Sequence, residues 1–189
     1  MTLDTSQITF AGIIVTTKGA KQLPALYEYG EAVAFQADAY LGIPFEPCAF
    51  NDSDANRVTL CLNPSPSLCD TISALDEWCI QTLCANPTNL LGIQLSPEQI
   101  KDRYVSCLRT SEKGGQTLRA EMNKSGKYAL QCYDTDKVKR DHPRVWKDCL
   151  IQPRLIFRGV WIMNKDMGML LECSHGLIKE GGDTGECAF

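Results

Sequence analysis

Histidine is nearly absent from this chain: of 189 residues only His142 and His175 are histidine, and neither stands in a metal-ligand or triad-like sequence. The one catalytic arrangement left open is a Cys173/His175 dyad, because residues two apart on a regular strand share a face. Gly-rich loops of the forms G-x-x-x-x-G-K-[ST] and G-x-G-x-x-G are missing too, so nucleotide hydrolysis and dinucleotide chemistry lack their phosphate cradle. The expectation is no catalytic residue, no cofactor and no metal. No apolar run approaches the roughly 18 residues of a membrane-spanning helix. The opening MTLDTSQITFAGIIV lacks a basic stretch followed by a small-residue cleavage site. An intracellular protein with no membrane partner is expected. C-x-x-C pairs are also lacking, although there are ten cysteines, Cys48, Cys61, Cys69, Cys79, Cys84, Cys107, Cys132, Cys149, Cys173 and Cys187. At about 5% of the chain they fall below the density of disulfide scaffolds. Reduced cysteines serving as small apolar core residues are favoured over disulfides or structural zinc.

Positive charge is scarce in most of the chain and concentrated in one part of it. Residues 1–100 hold 3 Lys/Arg against 11 Asp/Glu, residues 101–165 hold 15 against 7, and residues 166–189 hold 1 against 5. The mean is acidic, with a net charge of −4 and a pI near 5.2. Binding responds to local potential, however, and a basic segment with aromatics among its cations points to a polyanion.

Three β-branched stretches, 7–16, 31–38 and 57–62, read as strands, with a proline-marked irregular crossing at LGIPFEPCAF. The period then changes. Ser67 with Asp70 resembles a capping box, and Leu68, Ile72, Leu75, Cys79 and Leu83 recur at helical spacing until Asn86-Pro87. A second helix starts at Ser96, with Pro97 at its first position, Gln99 at its third, and Ile100, Tyr104 and Leu108 on one face. QTLRAEMN and KYALQCYD around Ser125-Gly126 read as a hairpin, and a charged loop covers 134–148. Residues 151–163 and 167–173 read as a second hairpin with a bulge at Gly159, and 180–189 as an acidic, flexible tail. The fold class expected is mainly β: an OB-fold-like Greek-key barrel, one domain over 1–179, with a pair of α-helices inserted at about 67–108.

Three passages resemble the OB-fold single-stranded DNA-binding proteins of short-tailed phages and their relatives in large algal DNA viruses. The helical pair ALDEWCIQTLCANPTNLLGIQLSPEQIKDRYVSCL is similar to that family's "LDE" helix, Asn-containing link and "S-x-E-x-I" helix. LRAEMN is similar to its strand before a variable charged loop. IQPRLIFRGVWIMNKDMGMLLECSHGLI is similar to its Gly-x-aromatic hairpin. The resemblance covers roughly residues 67–178 and departs at Met167, where an aromatic is usual, and at Leu171, where Trp is common. It implies a non-enzymatic protein that binds single-stranded DNA with little sequence preference during replication, recombination or repair. RNA stays open as a ligand. It also implies an intracellular setting, the nucleus or a viral replication compartment, and leaves a homodimer open.

A sequence-tolerant single-strand binder needs cations that track phosphates and flat rings on which bases stack, at ~1–3 kcal/mol per base. Arg119, Lys124 and Lys127 lie around the first hairpin, Lys137, Lys139, Arg140, Arg144 and Lys147 in the loop, and Arg154 and Arg158 on one strand face. Strand parity makes Tyr133 the stacking candidate and Tyr128 a core residue. Trp146 sits among cations as a stacking ring, or else as a loop anchor folded onto the barrel. Trp161 is ambiguous, because a bulge at Gly159 exchanges the faces beyond it. The tail, with Glu180, Asp183, Glu186 and the terminal Phe189, is similar to the acidic tails by which that family engages replication proteins and shields its DNA groove. A tethered polyanion competes through effective concentration. The rival reading is a protein-interaction or structural subunit that keeps an OB-like scaffold without nucleic-acid binding.

Overall fold

A long hairpin, Leu150–Met163 with Asp166–Lys179, carries the rest of the chain on its two edges. The computed structural model describes residues 3–16, 19–49, 56–111 and 115–180. Its strands are β1 (Ile8–Phe10), β2 (Ile14–Val15), β3 (Lys21–Tyr27), β4 (Val33–Gln36), β5 (Leu41–Gly42), β6 (Arg57–Leu62), β7 (Tyr104–Val105), β8 (Leu108–Thr110), β9 (Gln116–Asn123), β10 (Gln131–Tyr133), β11 (Lys139–Arg140), β12 (Leu150–Met163) and β13 (Asp166–Lys179). The helices are α1 (Pro66–Ala85), α2 (Pro87–Leu91) and α3 (Pro97–Arg103). No helix among the described residues is long and apolar enough to cross a membrane.

The outer edge of β12 receives β3, β4 and β5 in turn, all antiparallel. The outer edge of β13 receives β7, β9 and β10, all parallel. β6 and β8 complete the sheet on β9. Between β5 and β6 only the single bridge Gly42–Asn63 is formed, so the sheet curls toward a barrel without closing. The architecture is mainly β and OB-fold-like, with its helices inserted between β6 and β7.

Alternation along the strands sorts the core. In β12, Ile151, Pro153, Leu155 and Phe157 are buried while Gln152, Arg154 and Arg158 are half-buried on the other face. Helix α1 buries Leu68, Ile72, Leu75, Cys79 and Leu83 at the spacing read from the sequence. Burying those five side chains contributes roughly 10 kcal/mol gross, an upper figure before chain entropy. Trp78 of the same helix packs between Phe10 and Phe157, with ring centroids 4.7 and 6.1 Å away.

Several elements differ from the sequence expectation. The run 7–16 is two short strands, and Lys21–Tyr27 is a strand despite Pro24, which lies opposite Gly159 where the ladder already shifts register. The N-cap of α1 is Ser65, whose hydroxyl accepts from the Leu68 amide, with Pro66 at the first turn. Helix α3 starts at Ser96 as expected, where Ser96 and Gln99 form a capping box, but it stops at Arg103, because Tyr104 and Val105 leave the helix to pair with Met167 and Gly168. The first hairpin does not form. β9 and β10 meet only at the Asn123–Ala129 bridge, and β10 lies parallel on β13 instead.

Gly159 is the bulge, at φ 118°, and a Cβ there would sit 2.0 Å from the Leu23 carbonyl oxygen, so no other residue fits. A second irregularity falls at Ser174: Arg154 pairs with His175 but Leu155 with Cys173. Neighbours in β12 point to opposite faces, so Cys173 faces the core and His175 does not, and the Cys173/His175 dyad is not formed. Cys79, Cys107, Cys132, Cys149 and Cys173 are buried and unpaired, as the reading of reduced core cysteine requires. Burial pushes the Cys107 and Cys132 thiols up to about 12, which keeps them protonated and unreactive. The tail expected at 180–189 lies outside the described residues beyond Glu180.

Candidate nucleic-acid interface

Residues opposed in a ladder point to the same side, so the pairing register assembles rows across the sheet. One row is Gln36, Arg154, His175 and Gln131. The next is Gln152, Leu177, Tyr133 and Lys139. On the other side of the first lie Ile156, Glu172, Glu121 and Thr59, and further along Gln22, Trp161, Gly168 and Val105. All face away from the helix-capped core.

Three adjoining concavities follow these rows. The first, about 420 Å³, is lined by Gln36, Tyr133, Lys137, Gln152 and His175. The second shares His175 and adds Lys127, Tyr128, Arg154, Arg158 and Glu172. The third continues along the same face with Thr59, Arg109, Arg119, Glu121 and Trp161. Together they form a trough across the open sheet, with cations at both ends and flat rings spaced along it.

Tyr133 and His175 have centroids 6.3 Å apart and planes only 12° from parallel. Burial, reinforced by the Arg154 charge, holds the His175 imidazole below its usual value and keeps it neutral. Lys137 reaches the trough from the β10–β11 turn. There Asp134 caps the Asp136 and Val138 amides, and Lys137 adopts φ 63°. Two carboxylates interrupt the positive field. Glu172 accepts from Nε and Nη2 on one edge of Arg158, at 2.9 and 3.0 Å, and Glu121 pairs with Arg57. Arg158 is therefore a neutralised cation rather than a free one. Trp161 lies over Gly168, where a Cβ would approach its ring to 3.0 Å.

The structure brings together Arg119, Lys127, Tyr133, Lys137, Lys139, Arg154, Arg158 and Trp161 from the sequence-predicted set. Lys124 is exposed in the turn after β9. The rest of the charged loop goes elsewhere. Lys139 opposes Tyr133, so its neighbour Arg140 points to the other side and pairs with Glu180. Arg140, Arg144 and Lys147 line a separate concavity of about 680 Å³ with Asp134, Asp141 and Glu180. Trp146 is no stacking ring: it is 6% exposed and belongs to the core. Its amide and that of Lys147 both donate to Glu46, at 2.9 and 2.8 Å, which folds the loop back as an anchor. Tyr128 corrects the opposite way, 64% exposed in a turn with the Lys127 ammonium 5.6 Å from its ring centroid. Met167 and Leu171 are buried. Asp183, Glu186 and Phe189 lie outside the described residues. His175, Gln36, Gln152 and Arg109 were missed. Only the β12–β13–β10 register and the early end of α3 place them in the trough.

No ligand-holding cluster of His, Cys, Asp and Glu is found among the described residues. The class of fold is an OB-fold-like open sheet with a helical insertion, and solved structures share it. The chain is similar to the single-stranded DNA-binding protein from bacteriophage Enc34 in complex with ssDNA, at 9% identity and TM-score 0.52 over 91% of this chain and 96% of that one. It is also similar to gp2.5, a single-stranded DNA binding protein encoded by bacteriophage T7, at 13% identity and TM-score 0.52 over 82% and 92%. No family model matches the sequence, and no curated protein matches it. At such identities the likeness is one of fold.

Proposed function

We propose that this protein is a non-enzymatic binder of single-stranded DNA that holds the strand in the trough across β12, β13, β10 and β9. One observation carries the reading: Lys127, Lys137, Arg154 and Arg119 converge with Tyr128, Tyr133 and Trp161 on one open face. Cations along a groove and rings on its floor are what a flexible phosphate chain with stacking bases requires. The phage proteins of like fold, both single-stranded DNA-binding proteins, support it. Within the same proposal, residues 1–179 act as one domain, of the lineage that includes the algal-virus proteins. The protein works in replication, recombination or repair in the nucleus or a viral replication compartment. RNA is an alternative strand, the segment 180–189 contacts replication proteins, and two copies pair as a homodimer.

The test is the affinity for a fluorescent single-stranded oligonucleotide over a salt series. Binding should weaken linearly in log–log form, with a slope of about 0.7 per phosphate contacted. Absence of binding at low salt overturns the proposal. It would favour the interaction-scaffold reading, to which the Arg158–Glu172 and Arg57–Glu121 pairs already lend weight, since they neutralise two arginines on this face.

A further inference from the structure

His175 stands where two concavities of the trough meet and lines both. Its charged neighbours are nearly all cations. Arg154 of β12 is its partner in the ladder, Lys137 of the β10–β11 turn lines the first concavity with it, and Lys127 lines the second. β10 adds the ring of Tyr133, and β4 adds only the uncharged amide of Gln36. Among the described residues, Glu172 of the same strand is the one carboxylate lining either concavity, and Arg158 already holds it. An imidazolium set among like charges is disfavoured, and partial burial adds to the cost. The ring of the free protein is therefore neutral near pH 7, held below the ordinary 6.5 by burial first and by Arg154 second.

A bound strand changes that balance. A phosphate seated at Arg154 offsets the repelling charge, and an anion within about 4–6 Å favours the charged ring. The hydrogen bonding of the ring does not oppose protonation: Nδ1 lies 3.0 Å from the Ser174 hydroxyl oxygen, which can accept from an imidazolium N–H. Resting on the proposed single-strand binding, we infer that His175 is a proton-gated phosphate contact, which takes up a proton as the strand enters the trough and then holds a phosphate beside Arg154. The complex thus carries one more cation on this face than the free protein does. Because the complex binds the proton more tightly, the added affinity is fully present below the titration midpoint of the free protein. It is lost as pH rises through the midpoint of the complex.

Proton NMR can follow the ring C–H resonances of the chain's two histidines from roughly pH 5.5 to 8, with and without saturating oligo-dT. Anisotropy measures oligo-dT affinity over the same range at one salt concentration. Binding should raise the midpoint of His175 and leave that of His142, which lines the separate concavity, in place. Affinity should grow about five-fold from the top of the range to the bottom, the gain of one phosphate contact at about 0.1 M salt. His175→Gln should remove this pH-dependence whatever its affinity at the alkaline end, and His142→Gln should keep it. Should His175→Gln not fold, His142→Gln assigns the two resonances and the midpoints decide. A His175 midpoint that stays or falls when oligo-dT binds, or an equal pH-dependence in His175→Gln, overturns the proton uptake and leaves single-strand binding intact. Failure to bind oligo-dT anywhere in the range removes both.

Discussion

Replacing Glu172 by Gln should make the protein bind single strands more tightly, although no contact to the ligand is added. In the free protein the Glu172 carboxylate holds the Nε–Nη2 edge of Arg158 in the middle of the trough. A phosphate approaching the arginine meets a charge that the carboxylate already balances. An amide in its place releases a guanidinium to the strand, and one further phosphate contact steepens the salt dependence by about 0.7 in log–log slope. At about 0.1 M salt that amounts to roughly five-fold in affinity. Stability should hardly move. The Arg158 side chain is 37% exposed, so water takes over part of the lost partner, and screened pairs of this kind are worth about 0–1 kcal/mol. Anisotropy titrations at several salt concentrations, with urea unfolding alongside, read both quantities. Adding Arg158→Ala to the variant should return the slope to that of the wild type. A Glu172→Gln slope equal to the wild type's refutes the view that the carboxylate holds Arg158 in reserve.

The charged loop should divide in function as it does in space: Lys137→Glu with Lys139→Glu should lower the salt slope by about 1.4, whereas Arg144→Glu with Lys147→Glu should leave it unchanged. Trp146→Ala should cost about 3–5 kcal/mol in urea unfolding, yet bind oligonucleotides normally at temperatures where it remains folded. Asp76 accepts hydrogen bonds from the Tyr104 and Ser106 hydroxyls, but burial outweighs them and raises its carboxyl above the ordinary 3.8. The folded state therefore holds this proton longer than the unfolded one. Stability should fall as pH rises from 3.8 toward the raised value, and Asp76→Asn should flatten that part of a pH series of urea midpoints.

Local pattern made some of this molecule readable. The five buried positions of α1 follow helical spacing, the outward arginines of β12 follow strand parity, and Gly159 marks a bulge because only glycine adopts its backbone angle. What escaped was set by partners far away in sequence. Tyr104 reads as helical until Asp76 and the edge of β13 claim it. Trp146 reads as exposed among lysines until Glu46, a hundred residues earlier, caps the loop around it. Parallel pairing of β10 with β13 leaves no turn signature between the two strands, so the row that joins Tyr133 to Leu177 and Gln131 to His175 has no trace in the local sequence. The same register decides that Lys139 and Arg140, adjacent in the chain, serve opposite surfaces.

That β12 is the shared neighbour of β3, β4 and β5 also orders events during synthesis. The first forty or so residues leave the ribosome long before the strand that will receive their backbone amides, and their unpaired edges must wait for it. Such long-range closure slows folding and exposes nascent sheet edges to association. The recipient hairpin, built from local contacts, is the natural seed: once it zips, earlier segments dock onto a finished template.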